Sequence, residues 1–162
     1  MSAGTAFAIA ITMMKSILNK SILVVDDDTR WLRVLDKVLT GEGAVVFRAQ
    51  WAGDVIEILT ERKLQFDLLI TDLRMPFVTG LMLVCSVRKM FPTLPIIVLT
   101  AFGSPNVKAE CLREGAAAFL EKPLDTAGLL AVIERVFAQH SANLVEAAAS
   151  QAVTKNETAY RS

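Results

Sequence analysis

Short apolar runs alternate along this chain with longer segments whose apolar residues recur every three or four positions. The short runs, bounded by turn residues, read as buried strands, and the periodic segments read as amphipathic helices. Ile22 to Val25 is the first strand. The segment after it carries Trp31, Val34, Leu35, Val38 and Leu39 at helical spacing and stops at Gly41 and Gly43. Asp28 or Thr29 caps its amino end. Strand Ala44 to Ala49 follows, then helix Gly53 to Arg62 with Val55, Ile56 and Leu59 facing inward. Leu68 to Thr71 is the third strand. Leu81 to Phe91 is the third helix, stopped by Pro92 and Pro95. Strand Ile96 to Leu99 and helix Asn106 to Glu114 come next, with Gly115 at the helix end. Strand Ala117 to Leu120 and helix Thr126 to Gln139 complete the series, the helix carrying Leu129, Leu130, Ile133, Val136 and Phe137 on one face. Strand–helix units in unbroken alternation predict an α/β fold, a parallel sheet covered by helices on both faces.

The ends differ from this pattern. Residues 1–14 carry no charge, and Ala3 to Met14 is mostly apolar. That run is too short to span a bilayer, and Lys15 follows it where a secretory signal would have its basic residues in front. Residues 1–20 are therefore expected to be an extension outside the fold, or an over-long gene start with the true start at Met13 or Met14. Residues 21–140 form the expected domain. Residues 141–162 are an Ala-rich, polar tail that frays or extends the last helix, with no second core and no effector domain.

Composition removes whole classes of function. The 162 residues hold 17 basic and 17 acidic side chains, so no charge excess points to nucleic acid or an anionic membrane. Cys85 and Cys111 lie far apart, form no CxxC, and suit a reducing, cytoplasmic setting. With His140 as the single histidine, a zinc-type site is close to excluded.

The chemistry gathers after the strands. Leu68–Leu69–Ile70 runs into Asp72, with Arg74 two residues on and Gly80 closing the turn. In a parallel sheet the carboxyl ends of all strands share one edge, where such folds bind ligands. Asp26 and Asp27, Asp72, Thr100 and Lys122 are therefore expected to converge. Carboxylates this close repel unless a cation neutralises them. Mg²⁺ suits the set, because it accepts one or two carboxylates, a backbone carbonyl and several waters. With Lys122 as a second cation and Thr100 as a hydroxyl donor, the pocket fits a phosphoryl group.

Over Ser21 to Gln139 the sequence resembles the receiver domain of two-component response regulators. The likeness rests on VVDDD at Val24 to Asp28, TDLRMPFVTG at Thr71 to Gly80, VLTA at Val98 to Ala101 and FLEKP at Phe119 to Pro123. The resemblance implies a flavodoxin-like, doubly wound sheet of strand order 2-1-3-4-5. It implies Asp72 as phosphoacceptor, taking the phosphoryl group from a histidine kinase or phosphotransfer protein. Asp27 would bind Mg²⁺ directly and Asp26 mainly through water, with Asp72 and the backbone carbonyl of Arg74 completing the ligands. Lys122, next to a cis bond to Pro123, would contact the phosphoryl oxygens, as would Thr100 and the N–H of Ala101. Thr100 and Phe119 would form the switch, altering the surface of the fourth helix, fifth strand and fifth helix for a downstream protein or a second copy of the chain. Such a module transfers phosphate onto itself and loses it slowly, and is not a turnover enzyme.

Other readings are set against that one. A haloacid-dehalogenase-type phosphatase would place its nucleophile after the first strand, yet the best acceptor here follows the third. An unphosphorylated interaction module would not need the full acidic set, Thr100 and Lys122. A truncated transcription regulator would need a DNA-binding domain, for which the tail is too short and not basic enough. Arg74 and Phe102 are expected to border the path of the hydrolytic water. Trp31 is expected to pack on the first helix face, Trp51 to staple the second helix, and Cys85, Cys111 and His140 to be structural.

Overall fold

The computed structural model describes residues 17–61 and 64–159, with side chains described as far as residue 150. Strands β1 (Ser21–Val25), β2 (Val45–Ala49), β3 (Leu68–Thr71), β4 (Ile96–Thr100) and β5 (Ala118–Glu121) form one parallel sheet in the order β2-β1-β3-β4-β5. Helices α1 (Thr29–Gly41), α2 (Ala52–Thr60), α3 (Gly80–Met90), α4 (Pro105–Arg113) and α5 (Thr126–Ala159) fill the crossovers and follow the last strand.

Alternation along the strands divides the core in two. Leu23 and Val25 of β1, with Leu69, Ile96 and Val98, join Val55, Leu59, Leu83, Val84, Val87 and Cys111 from α2, α3 and α4. Ile22 and Val24, with Leu68, Ile70, Ile97 and Leu99, join Leu32, Leu35 and Leu39 of α1 and Leu129, Ile133, Val136 and Phe137 of α5. Both faces of the central strands are therefore sealed, which is why those strands read as continuous apolar runs. Each fully buried aliphatic side chain contributes about 1.5–3 kcal/mol, so the sheet's position is strongly determined.

Most element ends fall within a residue or two of expectation. The packed unit, however, starts before Ser21. Ile17 is buried in the α1–α5 cluster, and the Asn19 amide donates to the Gly43 carbonyl at 2.9 Å. An apolar residue just ahead of the first strand finds the open end of a core, so residues 17–20 belong to the fold. The expectation for residues 1–16 lies outside the described residues. At the other end α5 continues well past Gln139, to Ala159, with residues 141–150 exposed. Alanine is the best helix former, so the run prolongs α5 although its side chains bury nothing. Trp51 occupies the N-cap position of α2 itself, without a side-chain capping bond, and is half-exposed. It is not positioned as the staple residue one place earlier.

Candidate functional site

Sheet order reverses between β1 and β3, the neighbours at the topological switch point where open α/β sheets take their ligands. Val25 pairs with Thr71, so the next residue on each strand, Asp26 and Asp72, leaves the sheet at the same edge. The ladder holds both there. The Asp72 amide donates to the Val25 carbonyl at 2.9 Å, and the Asp26 amide donates to the Ala49 carbonyl at 3.2 Å. Both carboxylates are buried, at 3% and 6% exposure.

Lys122 closes the site from the other side of the sheet. Its amide donates to the Thr100 carbonyl at 2.8 Å, and its bond to Pro123 is cis. From there the ammonium donates to Asp26 Oδ2 and reaches Asp72 Oδ1 at 3.3 Å. The second oxygen of each acid is used locally: Asp26 Oδ1 accepts the Asp28 amide at 2.9 Å, and Asp72 Oδ2 accepts the Arg74 amide at 2.8 Å. Both acids are thus oriented before any ligand arrives. Gly80 lets the β3–α3 loop close tightly: its amide donates to the Leu73 carbonyl at 2.8 Å, and a Cβ there would sit 2.1 Å from the Asp72 carbonyl oxygen.

Burial pushes the Asp26 carboxyl above the ordinary carboxylate value, because it disfavours the charged form. The Lys122 and Asp28 hydrogen bonds act in the opposite direction without cancelling it. Asp28 behaves in the reverse way. It caps α1, and the Arg30 side chain beside it lowers its carboxyl to about 2.

The remaining expected residues are placed as follows. Asp27 follows Asp26 but is exposed. Thr100 is wholly buried at the end of β4, and its hydroxyl oxygen accepts the Phe102 amide at 3.2 Å. Ala101 is exposed beside it. The Arg74 guanidinium lies over the Phe102 ring at 4.1 Å, joining the loops after β3 and β4. Phe119 is buried in the α2–α4 cluster. Asp26, Asp72 and Lys122 are in direct contact, with Thr100 tied to Lys122 through the backbone.

Two features escaped the sequence. Trp31 sits with its ring 5.0 Å from the Lys122 ammonium and belongs to neither apolar cluster, so it is not the core residue expected on α1. No local signal marks that contact, since the partners are far apart in the chain. Phe77, almost wholly exposed, adopts a left-handed backbone at φ 68°, a conformation a bulky residue rarely takes. The loop chemistry around Pro76 and Gly80 was the available hint.

No group of three or more His, Cys, Asp or Glu side chains, among the described residues, is arranged to hold a metal alone. The donor set nonetheless suits Mg²⁺. Asp26 and Asp72 offer oxygen only, they already share a cation in Lys122, and Mg²⁺ takes the rest of its shell from backbone carbonyl and water.

A buried acid–lysine cluster at the switch point of a 2-1-3-4-5 sheet defines a flavodoxin-like α/β domain built around carboxylate chemistry. The profile of the response regulator receiver domain matches residues 22–134, and the chain belongs to that family, whose general role is to accept a phosphoryl group in two-component signalling. Its sequence is 35% identical over 120 residues to the DNA-binding transcriptional regulator NtrC of Proteus hauseri, covering 74% of this chain and 25% of that protein. The chain thus spans about a quarter of the length of that curated relative. A CheY-like receiver domain protein from Methanospirillum hungatei superposes with a TM-score of 0.72 at 29% identity, over 76% of this chain and 98% of that one. A chain of the CheX–CheY–BeF3–Mg²⁺ complex from Borrelia burgdorferi superposes with a TM-score of 0.71 at 25% identity, over 74% of this chain and 90% of that one.

Proposed function

We propose that Asp72 is the phosphoacceptor of this receiver. A carboxylate oxygen of Asp72 attacks the phosphorus of a phosphohistidine on a kinase or phosphotransfer protein. The P–N bond breaks, the electron pair stays on the imidazole nitrogen, and that nitrogen takes a proton. The observation that carries this reading is the Lys122 ammonium seated between the buried carboxylates of Asp26 and Asp72. A fixed cation at that point offsets charge that builds on the phosphoryl oxygens. Thr100 and the Ala101 N–H hold a further oxygen.

Asp26, Asp27, Asp72 and the Arg74 carbonyl would hold Mg²⁺, which when bound neutralises phosphoryl oxygen charge. The Mg²⁺ in the complex from Borrelia burgdorferi supports that cofactor. Phosphorylation then favours one of two existing conformations through Thr100 and Phe119, and so changes the α4–β5–α5 surface. A downstream protein, or a second copy of the chain, reads that surface. The setting is cytoplasmic, and among the described residues no helix is long and apolar enough to cross a membrane. Residues 17–140 act as the receiver.

Acetyl phosphate with Mg²⁺, read by intact mass, tests the reading. Wild type gains one phosphoryl group and Asp72→Asn gains none. An unlabelled wild type, or labelling that survives Asp72→Asn, ends it. The Arg74–Phe102 stack shields the acyl phosphate from water. Arg74→Ala and Phe102→Ala should each hasten its loss about threefold, the worth of one exposed cation–π contact. Unchanged decay in both variants rejects the shield.

A further inference from the structure

Lys122 reaches the acid pair on a flexible four-carbon stem, and such a stem has many places to put its charge. Its two ion pairs leave part of the ammonium facing neither acid, and the Trp31 ring lies 5.0 Å away. The lysine side chain is 6% exposed, so this contact is largely dry. An aromatic face attracts a cation most strongly where water is excluded. Leu32, Leu35 and Leu39 of the same helix all enter the core, whereas Trp31 is half-buried and joins neither apolar cluster. The backbone leading to the ring is tied to the site. Asp26 Oδ1 holds the Asp28 amide at 2.9 Å, and Asp28 Oδ1 holds the Arg30 amide at 2.9 Å, one residue before the tryptophan. A single short segment therefore sets both the carboxylate that Lys122 binds and the ring beside it.

We propose that Trp31 is a positioning residue of the acceptor site: its ring holds the Lys122 ammonium against Asp26 and Asp72. Its consequence for phosphorylation rests on the phosphoacceptor reading above, while the contact itself does not. Without the ring the ammonium swings toward solvent, and the phosphoryl oxygens meet a less ordered cation.

The test uses the full chain and two readouts. With acetyl phosphate and Mg²⁺, Trp31→Leu should label about fivefold more slowly than wild type, and Trp31→Phe, which keeps an aromatic face, within about twofold. In a Trp51→Phe background Trp31 is the sole tryptophan, and Lys122→Gln should shift the intensity or the maximum of its emission. The emission reports whether the ring and the ammonium meet in solution, and the labelling rates report whether the ring positions the ammonium. Wild-type labelling by Trp31→Leu overturns the proposal, as does emission insensitive to Lys122→Gln. If Trp31→Leu does not fold, the phenylalanine variant and the emission decide. An unlabelled wild type instead ends the phosphoacceptor reading, leaving the emission to judge the contact alone.

Discussion

Both edges of the sheet carry lysine–aspartate pairs, and the pairs are built alike. At the carboxyl edge Lys122 joins Asp26 and Asp72, and each acid gives its other oxygen to a backbone amide. At the amino edge Lys20 meets Asp67 Oδ1 at 2.8 Å, and Asp67 Oδ2 accepts the Ser21 amide at 2.8 Å. Burial separates them. The Lys20 and Asp67 side chains are 39% and 35% exposed, against 6% for Lys122 and 4% and 7% for Asp26 and Asp72. The amino-edge pair borders an open groove of about 860 Å³ whose walls include Phe66, Phe137, His140 and Leu144. Water there screens the pair, which works as a surface tie between the entries to β1 and β3. The carboxyl-edge cluster has given up its water. Desolvation of that kind is a poor way to gain stability, so the cluster is better explained by the chemistry of the pocket.

That contrast breaks first at Lys122. Lys122→Met leaves buried carboxylates without their cation and should cost about 3–5 kcal/mol at pH 7 in chemical unfolding. The deficit should shrink as the pH falls. The folded Asp26 carboxyl lies above its unfolded value of 3.8, so its contribution is present below 3.8 and is lost as pH rises through the folded value. Removing Lys122 takes away the bond that opposes this rise, and acid restores neutrality. A loss independent of pH would place the damage elsewhere.

Gly80→Ala should cost about 2–3 kcal/mol, because the clash falls on the backbone of Asp72 and Leu73 and not on a side chain that can turn away. If Asp72 accepts the phosphoryl group as proposed, the same variant should label more slowly with acetyl phosphate as Asp72 shifts. Full stability with full labelling would show that the loop yields freely. The smallest effect belongs to the other edge. Lys20→Met should cost less than about 1 kcal/mol, falling further with added salt. A cost matching that of Lys122→Met would erase the distinction between the edges.

Much of this was readable in advance. Leu68–Thr71 emerged with its expected bounds, because a strand sealed on both faces has no choice but a continuous apolar run. The cap of α1 was legible as Asp28 or Thr29, and the structure uses Asp28. For α5 the sequence left fraying and extension both open, since the continuation rests on alanine propensity without a buried stripe to mark it. Ile17 was missed for a related reason: one apolar residue has no period.

By itself the sequence determined the alternation of elements, the parallel sheet, and the group of polar residues due at its carboxyl edge. Those follow from local periodicity and from topology, both of which are written along the chain. Tertiary structure alone decided how the charges are shared: Asp26, not Asp27, is the buried partner of Lys122, and Trp31 faces the ammonium instead of the core. Neighbouring acids in a sequence are chemically identical. Only the distance to a lysine nearly a hundred positions away, and the water excluded on the way, makes them different.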